Sequence, residues 1–161
     1  MKLILTGGRV FSAVPHTEAV AADVLVDGST ISAVGPGVAA PPDAAVINVA
    51  GCTVLPGLIN LHDHLTMKRT YGPIGKQLLA PDGYLVIRGV RAALRDIKSG
   101  VTTIRECGAR NSLNMVLKRA IQMKAIPGPR VLAGQLLSSS GGHSSAVSRV
   151  CDGPDSFRRT V

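Results

Sequence analysis

From Leu58 onward, short apolar and β-branched runs alternate with helical stripes, and that alternation restricts the chain to βαβ units built on a parallel sheet. The first run, Leu58 to Leu61, leads straight into His62. After a loop marked by Gly72-Pro73 and Pro81-Asp82-Gly83, the pattern predicts a helix from about Tyr84 to Ser99, with Ile87, Val90, Leu94 and Ile97 on one stripe and Gly100 as its cap. Val101 to Arg105 reads as a second strand. Ser112 is placed to cap a second helix running to about Lys124, with Leu113, Val116, Leu117, Ala120 and Ile121 inward. Pro127-Gly128-Pro129 ends that helix, Arg130 to Leu137 reads as a third strand, and Asp152 to Asp155 open a third helix.

The residues before Pro56-Gly57 have a different character. They form short strand patterns: Lys2 to Leu5, Arg9 to Phe11, Val46 to Val49 and Thr53 to Leu55. Ala22 to Val26 and Thr30 to Val34 are joined as a hairpin through Asp27-Gly28, and residues 35–43 form a Pro/Gly/Ala loop. The expected class is therefore α/β, with a β layer over residues 1–56 and a βαβαβ portion over residues 57–161. Three strands and two crossover helices fall short of a closed (β/α) barrel, which needs about 250 residues.

Composition narrows the function classes. At 161 residues and 45% hydrophobic content the chain can bury a core, but aromatics are only 2%, so that core is aliphatic. The charge of +8 raises nucleic acid as a partner. Its distribution argues against this, because Arg88, Arg91, Arg95 and Lys98 share one helix and Lys118, Arg119 and Lys124 another, as solvated outer faces do, and stacking aromatics are almost absent. Cys52, Cys107 and Cys151 are too scattered for a disulfide framework, which favours a reducing compartment. No apolar run approaches the roughly 18 residues of a membrane span, so the expectation is a cytoplasmic protein with no membrane or nucleic-acid partner; a homo-oligomer is left open.

The chemistry concentrates at Leu58-Ile59-Asn60-Leu61-His62-Asp63-His64. Strand side chains alternate, so His62 and His64 project to one side about 6.5 to 7 Å apart along the strand while Asp63 points away. Two imidazoles so placed can grip one divalent cation, and a strand's carboxyl end is where barrel enzymes build active sites. An isolated HxH is most simply two half-exposed polar residues; the Pro-Gly break, the apolar strand and the preceding β layer favour the metal reading. His143, after Ser138-Ser139-Ser140-Gly141-Gly142, falls in a loop on the same face as His62 and His64 and reads equally as a residue of that site or an incidental one. Arg105-Glu106, at the second strand's end, is also placed to face the site, but reads foremost as a structural ion pair or a solvated loop entry. Cys107 is a lone thiol without a basic neighbour, and His16 a surface residue.

Taken together, Ala22 to Gly28 with Ile31 to Gly35, Val54 to His64, Gly100 to Glu106, Gly128 to Leu132 and Gly141-Gly142-His143 resemble the amidohydrolase superfamily, in its imidazolonepropionase-like and prolidase-like branch. The resemblance implies the N-terminal half of a composite β-sandwich followed by the first strands and helices of a (β/α)8 TIM-type barrel. It implies His62 and His64 as metal ligands, one or two divalent ions, foremost zinc, and a small-molecule amide substrate beside His143. The implied reaction is metal-assisted hydrolysis of a carbon–nitrogen bond. The family's later-strand ligands and its proton-transferring aspartate have no counterpart in these residues, so no catalytic residue is assigned. The rival expectation is a shortened, non-catalytic relative with a binding or structural role.

Overall fold

The computed structural model describes every residue except 15–16, 69–71, 74–75, 78, 143–144, 146 and 161. The chain divides into two compact units, Met1–Pro56 and Gly57–Val161.

The first unit consists of two small sheets. In one, β1 (Lys2–Thr6), β4 (Asp23–Asp27), β5 (Thr30–Gly35) and β6 (Ala45–Asn48) lie in the order β5-β4-β1-β6. β1 is antiparallel to β4 and parallel to β6. β4 and β5 form the expected hairpin: Asp27 pairs with Thr30, and Gly28, the first of the two loop residues, has φ +60°, a backbone region that glycine enters freely. Ile4, Ala22 and Val24 are buried. The second sheet joins β2 (Arg9–Val10), β3 (Val20–Ala21) and β7 (Thr53–Val54) in the order β3-β2-β7. β3 is too short to leave a periodic signature, which is why the pattern of the sequence misses it.

The second unit is built on a parallel three-stranded sheet in the order β10-β9-β8, made of β8 (Leu58–Asp63), β9 (Val101–Glu106) and β10 (Arg130–Ala133). Helix α1 (Asp82–Lys98) connects β8 to β9, and α2 (Leu113–Gln122) connects β9 to β10. Leu65, Ala92, Ala93, Ile104, Leu117 and Val131 form the core between sheet and helices. Gly57 enters β8 where a Cβ would lie 2.1 Å from Thr102 Oγ1, so only glycine fits that approach. Gly100, at φ +87°, closes α1 as expected.

Several expectations are corrected. The buried face of α1 is Leu85, Arg88, Gly89, Ala92 and Ala93, whereas Ile87, Leu94 and Ile97 are exposed. Small residues win because helix and core approach closely: a Cβ on Gly89 would sit 2.3 Å from Leu117 Cδ1. Arg88 is not on a solvated face; it donates to Gln77 Oε1 at 2.9 Å and lies 5.7 Å from the Tyr84 ring centre. Val116 is exposed, and Asn114 takes an inward place on α2. Ser112 does not cap α2, since it is left-handed (φ 56°) and its hydroxyl bonds Gln135 Oε1. The run from Arg130 to Leu137 is not one strand. It stops at Ala133, where Asn114 Nδ2 takes the Gly134 carbonyl at 2.8 Å, and β11 (Leu137–Ser138) pairs instead in parallel with β12 (Arg149–Val150). A short helix, α3 (Gly153–Arg158), follows.

Candidate metal centre

The last residues of β8 deliver the histidine pair. Between Asn60 and Asp63 the register with β9 shifts, and the His62 amide donates to Asn60 Oδ1 at 3.2 Å. His62 and His64 nevertheless turn to the same side: their Nε2 atoms are 3.3 Å apart and their rings cross at 68°. Asp63 points the other way and is buried.

His64 is oriented by its other ring nitrogen. Nδ1 donates to the Gly108 carbonyl at 2.9 Å, and because that oxygen only accepts, a neutral ring leaves Nε2 as a bare lone pair facing His62. A carbonyl-anchored imidazole is the arrangement in which histidine serves as a ligand to zinc and similar cations. Donor type and tautomer thus both fit a divalent metal. Among the described residues, no group of three or more His, Cys, Asp or Glu side chains is arranged to hold one.

Two carboxylates brace this pair from behind. Glu106, the last residue of β9, is 0% exposed and accepts from the Gly108 amide at 2.8 Å and the Leu65 amide at 3.3 Å. It therefore grips both the residue that anchors the His64 ring and the residue that follows His64. Burial pushes its pKa up, offset in part by the Gly108 amide, the Asn114 side chain and the nearby His64. The expected ion pair or solvated loop entry is thus wrong for Glu106: it bonds backbone amides, while Arg105 is exposed and donates to the Glu106 carbonyl at 3.3 Å. Asp63 accepts from the His64 amide at 2.8 Å and from Lys68, which also reaches both oxygens of Asp96 at 3.2 Å. Desolvation, then repulsion from Asp63, raises the pKa of Asp96. One signal available from the sequence was the acidic residue ending each of two adjacent apolar strands, Asp63 and Glu106, which the structure pairs in register.

His143 and His16 lie outside the described residues. Cys107 is partly buried, with its thiol toward the Arg105 carbonyl at 3.5 Å and its amide on the Asp63 carbonyl. A half-open cavity of about 360 Å³ is lined by residues 109–112, 135–136 and 147–149; neither histidine lines it.

The model of the amidohydrolase family matches residues 53–157, and the chain belongs to that family. Over 65 residues it is 43% identical to a dihydroorotase of Geobacter sulfurreducens and 40% identical to one of Mycobacterium tuberculosis, covering 40% of this chain and 15% and 14% of those enzymes. Among solved structures it is similar to a prolidase complexed with N-methylphosphonate-L-proline, at 26% identity and a TM-score of 0.84, over 99% of this chain and 42% of that one. It is also similar to a Xaa-Pro dipeptidase with bound methionine, at 26% identity and a TM-score of 0.76, over 90% and 36% of the two chains. The chain thus spans less than half the length of each of these relatives. The mixed α/β architecture is that of amidohydrolase structures. Among the described residues, no helix is long and apolar enough to cross a membrane.

Proposed function

We propose that the whole protein hydrolyses a carbon–nitrogen bond of a small amide, cyclic amide or Xaa-Pro dipeptide, and that His62 and His64 hold the divalent cation that assists it. The observation that carries this reading is the convergence of two imidazole Nε2 atoms to 3.3 Å, one of them on a ring whose Nδ1 is committed to the Gly108 carbonyl. When bound there, a divalent cation, foremost zinc, lowers the pKa of water and polarises a carbonyl. The chain's own part is to present two imidazoles on a rigid strand end, with Glu106 and Asp63 fixing the backbone on either side of His64. Two histidines alone hold such an ion weakly, so further ligands, from strands additional to these, belong to the proposal. So does its architectural counterpart, in which residues 1–56 contribute to a β-sandwich and residues 57–161 to the opening units of a (β/α) barrel. The family match and the prolidase and dihydroorotase relatives support the choice of bond.

The test is zinc content and hydrolysis of Xaa-Pro dipeptides and cyclic amides by the full-length protein, before and after chelation, with His62→Ala and His64→Ala as comparisons. Stoichiometric zinc, chelator-sensitive turnover and loss of both in the two variants are expected. Turnover untouched by chelator and by both substitutions refutes the proposal.

A further inference from the structure

The Asp63 carboxylate lies immediately behind the histidine pair, 5% exposed, with Oδ1 on the His64 amide and on Lys68 Nζ. Its Oδ2 has no hydrogen-bond partner among the described residues. Among the described residues Lys68 is the cation paired with it, and Lys68 is in turn fixed by Asp96, in the last turn of α1, at 3.2 Å. The loop that carries Lys68 is pinned separately: Gln77 Nε2 donates to the Lys68 carbonyl at 3.2 Å, and Gln77 Oε1 accepts from Arg88 of α1. The ammonium is therefore not needed to tie the loop to the helix. What it alone does is hold a buried carboxylate against the backbone of His64. A buried carboxylate deprived of its counter-charge turns toward water, and its grip on the His64 amide then weakens.

We propose that Lys68 and Asp96 are positioning residues of the histidine pair: by clamping Asp63 onto the His64 amide they fix the direction in which the His64 ring presents Nε2. This rests on the reading of His62 and His64 as metal ligands. The device acts through the backbone, whereas Gly108 acts through the ring, so His64 is held at two points by groups from different elements. Residues that orient a ligand in this way change metal affinity by about 10- to 100-fold when removed.

The experiment compares zinc affinity, by competition calorimetry on the full chain, for the wild type, Lys68→Met, the milder Asp96→Asn and Asp82→Asn. The last removes the carboxylate that pairs with Arg110 at the other end of α1, and so reports general loosening of the helix. A loss of about 10- to 100-fold is expected for Lys68→Met and a smaller loss for Asp96→Asn. Asp82→Asn should stay within twofold of the wild type. Long-range proton–nitrogen spectra of the histidine rings, recorded without metal, supply the second readout: the Nδ1-protonated form of His64 should dominate in the wild type and mix with the other tautomer in Lys68→Met. Unchanged zinc affinity together with unchanged ring spectra in both Lys68→Met and Asp96→Asn overturns the positioning role while leaving the histidines as ligands. An equal loss in Asp82→Asn also overturns it, in favour of a general effect of helix attachment. Failure of the wild type to take up zinc overturns the reading of the pair, and the positioning of a ligand with it.

Discussion

Replacing Glu106 by Ala removes the one acceptor shared by the Leu65 and Gly108 amides in a place with no access to water. Each buried amide left without a partner costs about 1–3 kcal/mol. The Gly108 bond, at 2.8 Å, belongs to the upper part of that range and the Leu65 bond, at 3.3 Å, to the lower. The space left by the side chain adds about 1 kcal/mol where the surroundings cannot collapse. Against these stands relief from burying a carboxylate, which the raised pKa shows to be only partly compensated. The expected net loss is about 2–4 kcal/mol, or about 1–2 M in urea midpoint at a slope of about 2 kcal/mol per molar. Glu106→Gln keeps the shape and one carbonyl oxygen but points an amide at one of the two donors, so it should lose about 1–2 kcal/mol. Urea unfolding followed by circular dichroism at neutral pH, with chelator present, measures both. An alanine variant within about 0.5 kcal/mol of the wild type, or a glutamine variant less stable than the alanine one, refutes the assignment of Glu106 as the joint of this frame.

Two further outcomes follow from the same region. Gly108→Ala meets both a left-handed backbone (φ +118°) and a Cβ 2.5 Å from Leu136 Cβ and 3.1 Å from Leu136 Cα, so it should cost about 2–4 kcal/mol in a urea melt and weaken zinc binding, because the carbonyl that orients His64 moves with it. The pH dependence has a definite sign: Glu106 has a folded pKa above its unfolded one, so the folded state holds the extra proton between the two values. Its contribution is favourable below the ordinary carboxylate value of about 4.3 and is lost as pH rises through the raised folded value. A series of urea midpoints taken from about pH 4 upward should therefore decline less steeply in Glu106→Gln than in the wild type, and an identical decline would contradict the burial argument.

The histidine pair was legible because strand alternation is a strict period of two: it sends His62 and His64 to one side and Asp63 to the other, and the structure follows it despite the register shift just before. Gly100 was legible for a similar reason, since a left-handed helix end selects glycine. The packing of α1 was not. Periodicity weighs large apolar residues most, but Leu117 of α2 approaches this helix too closely for them at Gly89, and Ala92, Ala93 and Gly89 take the inner face. Arg88 and Glu106 were misplaced because charge reads as exposure, whereas both find hydrogen-bond partners inside, Arg88 on Gln77 and Glu106 on backbone amides. The split of Arg130 to Leu137 depends on a carbonyl captured by Asn114, a contact between residues twenty apart that no local pattern contains.

The open parallel sheet has one more consequence. β8 and β10 are its outer strands, and Ile59 and Leu61 on β8 are 63% and 75% exposed, with Leu132 on β10 also exposed. Unpaired peptide groups beside bare aliphatic side chains template the addition of another strand. This sheet is therefore self-adhesive: its self-association rises with concentration and weakens when Ile59 or Leu61 is exchanged for lysine.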